Sequence, residues 1–234
     1  MTDDRNVKYA YNAEKDVFQV VSKEGEDHTI YFKGPYTMSM TAYAPYTGER
    51  GTLAGVIQAS TTSEKQVDTA RATIDFLYAE GGGSQTNPRV EFQFFHKMSQ
   101  LVLAFKAGGG LELDDISYTL KNIILDGSFD TSAGSVASGK TTGNINMSLA
   151  KGKEMNSSVI VFPQKLASTL LLELAMGGKT YAQPIGNGID LISGNTYIFD
   201  VTIAPQSMTV SPAKIEDWIW GENSDHYVIA GESE

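Results

Sequence analysis

Short segments in which apolar and polar residues alternate recur along most of this 234-residue chain. Residues 36–43, 145–149 and 196–203 show it clearly, and a period of two is typical of a strand with one buried face. Turn-forming clusters separate most runs at intervals of about 8–12 residues or somewhat more, which favours an antiparallel sandwich over βαβ units. The pattern therefore predicts an all-β fold, with a helix content below about one quarter.

Residues 60–79 carry a mixed signal. Val67, Ala70 and Ile74 have helical spacing, whereas residues 74–78 form an apolar run typical of a buried strand. We predict a loop or a single helical turn followed by a strand.

A run rich in glycine, residues 81–88, divides the strand-like segments into two groups. Its three consecutive glycines and its Asn-Pro pair disfavour the continuation of a strand or a helix. We therefore predict two β-sandwich domains, residues 1–85 and 86–234, joined by a short Gly/Pro-containing linker, with the boundary within about five residues of Gly83.

Composition excludes several classes of function. With 18 basic and 28 acidic residues the formal net charge is −10, which disfavours nucleic acid and anionic membrane surfaces as partners. The chain has no cysteine, so disulfides, thiolate catalysis and Cys-ligated zinc are excluded. No apolar run approaches the roughly 20 residues of a membrane-spanning helix.

The acidic residues are concentrated at the C-terminus. Residues 215–234 contain six acidic and no basic side chains. Such a segment is either a solvated terminus or an interaction segment, and both interpretations stay open here.

One motif matches a phosphate-binding loop. Residues 134–141 fit the pattern G-x-x-x-x-G-K-[ST], which binds phosphate when it lies between a buried strand and a helix. The residues before it are polar, and those after it alternate as in a strand. We predict a surface loop over residues 131–142 without affinity for nucleotides.

No constellation of side chains indicates catalysis. His96 is interpreted as a structural histidine at a strand end, hydrogen-bonded to the backbone, and adjacent carboxylates such as Asp114 and Asp115 point to opposite faces of a strand. The chain is therefore predicted not to be an enzyme, with no catalytic, metal or cofactor residues. Tyr46 and Trp220 are candidate surface aromatics for sugar stacking, although aromatics of the core are the simpler interpretation.

Seven segments together resemble the fimbrillin-like family of Bacteroidales, the subunits of type V pili. No single segment is specific, but their order and spacing match over about residues 6–220. The segments are residues 42–46, 75–79, 90–101, 125–129, 159–164, 194–203 and 215–218.

The resemblance implies transthyretin-like sandwiches in a structural or adhesive, non-enzymatic protein of the cell surface. It implies export as a lipoprotein precursor, passage to the outer membrane, and assembly with other fimbrial subunits by β-strand donation after proteolytic removal of an opening strand. The lipobox cysteine and the opening strands that precede the segment matching residues 6–11 are absent from this sequence. Host or bacterial surface ligands are further expected partners.

The donor candidate for such assembly is the only apolar run beyond Trp220, residues 226–230, with Tyr227, Val228 and Ile229 at its centre. The competing interpretation is a final strand that folds back onto its own domain. The alternative function is a surface module that binds glycan or host protein without polymerising.

Overall fold

The computed structural model describes residues 5–15, 17–32, 34–151, 155–166, 170–185 and 188–219, and these are nearly all β. Helix accounts for 3% of the structure and strand for 51%, which confirms the predicted fold class. The helical parts are a 3-10 turn, Ser63–Lys65, and a one-turn helix α1, Asp68–Arg71. The strands are β1 (Tyr9–Asn12), β2 (Val17–Val20), β3 (Met38–Ala44), β4 (Val56–Ser60), β5 (Leu77–Gly83), β6 (Phe95–His96), β7 (Ser99–Ala107), β8 (Ile116–Ile124), β9 (Asp126–Asp130), β10 (Ser135–Ser138), β11 (Thr142–Leu149), β12 (Asn156–Val161), β13 (Leu171–Met176), β14 (Lys179–Pro184), β15 (Asn195–Ala204), β16 (Ser207–Val210) and β17 (Lys214–Asp217).

The larger sandwich is formed by two sheets. One has the order β11-β8-β13-β14, and the other has the order β12-β7-β15-β16, with β17 pairing with the first half of β15. All of these pairs are antiparallel except β7 with β15. Among the described residues, inward-facing side chains of both sheets and of their connecting segments form a core of 23 buried residues, among them Leu120, Tyr197 and Phe199. In these two sheets the period-two pattern of the sequence marks the buried faces correctly, whereas in residues 36–43 the apolar positions Tyr36 and Met38 are exposed.

The smaller sandwich lies around Phe129. Its sheets have the orders β3-β5-β6 and β10-β9-β4, and a separate hairpin, β1-β2, lies outside both. In the described part of the chain, its core holds seven buried residues: Ile74, Phe76, Tyr78, Met98, Phe129, Ile160 and Phe162.

The smaller sandwich takes strands from both sides of the predicted linker. Only Leu125 separates β8 of the larger sandwich from β9, which pairs with β4 in the smaller one. Phe76 and Phe129 stack with ring centroids 4.8 Å apart, although they lie on opposite sides of Gly83 in sequence. The division into domains 1–85 and 86–234 stays a prediction.

The three glycines of the predicted linker extend β5 rather than end it. Gly81–Gly83 pair with Met38–Met40 of β3. A Cβ at Gly81 would lie 2.8 Å from Val90 Cγ1, and one at Gly83 would overlap the ring of Phe32. These glycines therefore allow close approach of two other segments to the strand.

The remaining strand predictions differ in detail. Residues 60–79 form a helical region followed by a strand, as predicted, but the helical region has two turns and β5 begins at Leu77 rather than at Ile74. Residues 29–32 form no strand, and of residues 90–95 only Phe95 belongs to one. Residues 90–92 instead lie against the glycines of β5.

Two buried glutamines bind main-chain groups across the fold. The amide of Gln66 donates to the carbonyl oxygens of Thr61 and Ile160 and accepts from the Ile160 N–H, all at 2.9 Å. Gln164 bonds both the N–H and the carbonyl of Ile124, where β8 passes towards β9. Each side-chain amide donates to the carbonyl oxygen and accepts from the N–H of the same residue. It therefore satisfies the main-chain groups that an adjacent strand would otherwise bond.

Candidate strand-acceptor site

The core of the smaller sandwich is only partly covered on one side. Tyr43 of β3 and Ile57 of β4 are half-buried, and both pack on the buried cluster around Phe129. The ring of Tyr43 lies 6.3 Å from that of Phe129, and Ile57 is the cross-strand partner of Phe129. From Arg5 to Ser60, His28 is the only described residue that is buried. The segment from Arg5 to Ser60 therefore buries much less of its apolar surface than the larger sandwich does.

The strands on this side are open edges. β3 pairs with β5 on one side, and β4 pairs with β9 on one side. Within the described part of the chain, neither β3 nor β4 has a strand on its other side. A row of main-chain donors and acceptors without a partner strand is a site at which another strand can add.

Asn6 binds the loop that joins these two edge strands. Its Nδ2 donates to the carbonyl oxygens of Thr47 and Glu49, at 3.0 and 3.1 Å, and the Tyr43 hydroxyl lies 2.6 Å from its Oδ1. Its φ of +50° lies in the left-handed region, which asparagine adopts more readily than most residues. Asn6 thereby holds the N-terminal segment at the end of β3.

We expect replacement of Asn6 to loosen this end of the site. Asn6→Ala loses the side-chain bonds and places at positive φ a residue that adopts this conformation less readily than asparagine, and should cost about 2 kcal/mol of unfolding free energy. Asn6→Gly keeps the backbone conformation and should cost about 1 kcal/mol. Urea unfolding measures both, and equal stability of both variants and the parent would contradict the role given to Asn6.

The tyrosines of this loop act through their hydroxyl groups. Burial raises the pKa of Tyr43 above its ordinary value, so the hydroxyl keeps its proton for donation. Tyr46, a candidate surface aromatic, is half-buried, and its hydroxyl donates to the Asn6 carbonyl at 3.2 Å. The ammonium group of Lys8 lies 5.7 Å from the centre of the Tyr46 ring. Tyr46 therefore joins the N-terminal segment to the loop.

The glycine-lysine motif forms part of a hairpin. The prediction of a surface loop over residues 131–142 is wrong in part, because Ser135–Ser138 form β10 and pair with β9. Lys140 is followed by the strand β11, beginning at Thr142, so no helix N-terminus is present to bind phosphate. Gly134 packs against the ring of Tyr78, which is why the turn before β10 excludes a side chain.

We expect no nucleotide binding at Lys140. Titration calorimetry with ATP or GTP should give no heat of binding for the parent chain or for Lys140→Ala. Micromolar binding that Lys140→Ala removes would contradict this expectation.

His96 has a partner that its sequence context does not indicate. The sequence predicts a hydrogen bond from His96 to the backbone. In the structure, Nδ1 of His96 lies 2.8 Å from Oδ1 of Asp75, a side-chain partner that the prediction did not include. The buried imidazole also stacks on Trp218, with ring centres 3.9 Å apart and planes 4° apart. Trp218 in turn donates its backbone N–H to the carbonyl of Gly194. Three chain segments are thus joined where the described chain nears its end.

Other predicted site residues lie outside the described residues. These are Trp220 and the donor candidates Tyr227, Val228 and Ile229. Among the residues that are described, no three histidine or acidic side chains converge as metal ligands.

No helix in the described ranges is long and apolar enough to cross a bilayer.

Comparisons with known proteins agree with this architecture. A crystal structure of a candidate cell adhesion protein from Bacteroides ovatus superposes with a TM-score of 0.78 at 35% identity, over 87% of this chain and 76% of that one. One from Bacteroides uniformis has a TM-score of 0.73 over 91% and 84% of the two chains, and at 24% identity it shows the fold alone.

A relative by sequence is a candidate fimbrium subunit, Fim1C, from Bacteroides uniformis. It is 26% identical over 209 residues, which are 84% of this chain and 67% of the relative. A family model described as fimbrillin-like matches residues 2–218. Since this match spans nearly all of the sequence, the chain belongs to the fimbrillin-like family.

Proposed function

We propose that this protein is a structural or adhesive subunit of a bacterial fimbria and that it joins its neighbours by β-strand donation. The observation that carries the proposal is the pair of open edge strands, β3 and β4, beside a half-covered core. Family membership and the fimbrium subunit among its relatives support the fimbrial role.

The acceptor is the free edge of β3. An incoming strand would bond the main chain of Met38–Ala44 and place alternate side chains beside Tyr43 and Ile57. Main-chain bonds supply affinity, and burial of the inserted apolar side chains supplies about 25 cal/mol per Å² removed from water. The same insertion would cover an edge that otherwise favours non-specific association.

The donor is the tail, defined as residues 220–234, of another copy or of a related subunit. In an added strand, Tyr227 and Ile229 would lie on one face and Val228 on the other, and the acidic residues around them would favour solvation of the tail before it docks. The competing arrangement, in which the tail folds back onto its own chain, predicts a monomer that depends on the tail for stability.

Such a subunit acts without catalysis. Its partners are other fimbrial subunits, its place is the cell surface, and it needs no cofactor. Family membership supports this structural role, since the related proteins are named for fimbriae and adhesion.

A second function, binding of surface glycan or host protein without polymerisation, has one observation in its favour. Two aromatic side chains of the β1-β2 hairpin, Tyr11 and Phe18, are exposed, and so is Tyr36 of the segment before β3. Exposed aromatics are common in binding surfaces. A chain that stays monomeric at all concentrations would favour this second function.

Disulfide trapping tests strand donation, because the parent chain contains no cysteine. Ser39→Cys or Thr41→Cys on β3 is mixed with Val228→Cys and oxidised. The control is a mixture of Val228→Cys with Thr180→Cys, which places the cysteine at an exposed position of the larger sandwich. We expect the intermolecular disulfide to form at least about ten times faster with the β3 variants than in this control.

Two results would contradict the proposed acceptor. If multimers form but neither β3 variant is trapped by Val228→Cys, the tail docks elsewhere. If Thr180→Cys is trapped equally fast, the disulfides report random collision.

A further inference from the structure

Strand β3 changes its buried face along its length. Near its C-terminal end, Tyr43 has the buried Tyr78 as its cross-strand partner, and its ring centre lies 6.3 Å from that of Phe129. Ser39 and Thr41 project from this same face, which we call the inner face of β3, and both are exposed. The inner face therefore meets the core of the smaller sandwich at one end of the strand only.

The opposite, outer face of β3 carries Met38 and Met40 at the beginning of the strand. Their cross-strand partners on β5 are Gly83 and Gly81. Partners in an antiparallel pair project from the same face about 5 Å apart. The two glycines therefore leave room on the outer face beside the two methionines.

Apolar side chains from two other segments fill that room. A Cβ at Gly83 would overlap the ring of Phe32, and one at Gly81 would lie 2.8 Å from Val90 Cγ1. Met38 is nevertheless 46% exposed, because β3 has no described strand on its other side. We define the outer layer as these apolar residues: Phe32, Met38, Met40, Val90 and Phe92.

We infer that the free edge of β3 selects an incoming strand whose apolar side chains change from one face to the other along its length. This inference rests on the proposed function and states what the acceptor requires of its partner. Apolar side chains are needed opposite Met38 and Met40 on the outer face, and opposite Tyr43 on the inner face. Polar side chains fit opposite Ser39 and Thr41. Such a partner differs from a strictly alternating strand, which has a single apolar face.

Burial on both faces explains this selection. Side chains that lie opposite each other on neighbouring strands are about 4.5–5.5 Å apart, so each side chain of β3 can contact the one added beside it. An apolar side chain beside the outer layer or beside Tyr43 is removed from water, whereas a polar one there loses its hydration. Methionine adapts to partners of different shape. The acceptor therefore selects the positions of apolar residues more strictly than their identity.

Two adjacent exposed positions of β3 separate this pattern from strict alternation. Met38→Asp places a charge on the outer face, and Ser39→Asp, the matched control, places the same charge on the inner face. Met38→Gln removes apolar surface at similar length, and Met38→Leu keeps it. Sedimentation of each full chain over a dilution series measures the dissociation constant of the multimer. Circular dichroism of each monomer measures its melting temperature.

We expect Met38→Asp to raise the dissociation constant at least about ten-fold and Met38→Gln at least about three-fold, because a methionine side chain would no longer be buried. Met38→Leu and Ser39→Asp should each change it less than about two-fold. If Met38→Asp lowers the melting temperature of the monomer, Met38→Gln decides the comparison.

Three results would contradict the inference. If Ser39→Asp weakens assembly and neither polar variant of Met38 does, the incoming strand buries side chains on the inner face alone, and strand donation still stands. If both aspartate variants weaken assembly equally, charge at the edge and not the face is responsible. If no variant changes the dissociation constant, assembly does not use this edge. If the parent chain forms no multimers, the proposed function fails and this inference with it.

Discussion

Deletion of residues 223–234 is expected to abolish multimers while leaving the melting temperature of the monomer within about one degree. The deletion removes the donor candidates Tyr227, Val228 and Ile229, but it keeps Trp218 and its stack on His96. Among the described residues, no fully buried core residue lies beyond Met208, and the later residues that pack against the cores, Val210, Ala213 and Trp218, are kept in the deletion. Light scattering measures assembly, and circular dichroism measures thermal unfolding of the isolated monomer.

A shorter deletion provides the control. Removal of residues 231–234 takes away Glu232 and Glu234 but keeps the apolar run, so multimers should persist. If the longer deletion lowers the melting temperature by several degrees and the parent never forms multimers, the tail is a structural part of its own chain.

The second large effect is expected at Gln66, whose side chain is fully buried. Gln66→Leu has a similar volume but leaves the N–H and carbonyl of Ile160 and the carbonyl of Thr61 without the bonds that they make now. Each buried group left unsatisfied costs about 1–3 kcal/mol, so the variant should lose about 3–5 kcal/mol of unfolding free energy.

Two further variants separate hydrogen bonding from packing. Gln66→Glu keeps the shape but directs a carboxylate at two carbonyl oxygens, and should destabilise the protein at least as much as Gln66→Leu. Gln58→Leu, at an exposed position of β4, should change stability by less than about 0.5 kcal/mol. Urea unfolding of all three is the measurement, and a stable Gln66→Leu variant would show that its bonds contribute little.

Local patterns determined the fold class and most of the strands. Alternation such as that of residues 116–120 and 197–203 predicts buried faces because successive side chains of a strand point to opposite sides. These residues line the larger core as the pattern indicates. The absence of cysteine and the unsuitable flanks of the glycine-lysine motif are also properties of the sequence alone.

Only the tertiary structure decided which segments meet. The glycines of residues 81–83 look like a linker, but their role depends on Phe32 and Val90, which approach them from outside the strand. Gln66 bonds a residue 94 positions away, and His96 lies between Asp75 and the distant Trp218.

The location of the candidate acceptor site also depends on the tertiary structure. The pairing of β4 with β9 leaves β3 and β4 as open edges around Phe129, and no local signal near residues 38–60 indicates this. Periodicity reports which face of a strand is buried, but a partner far along the chain is selected by packing of the whole core. The sequence therefore determined most of the strands, and the tertiary structure decided which of their edges stay open.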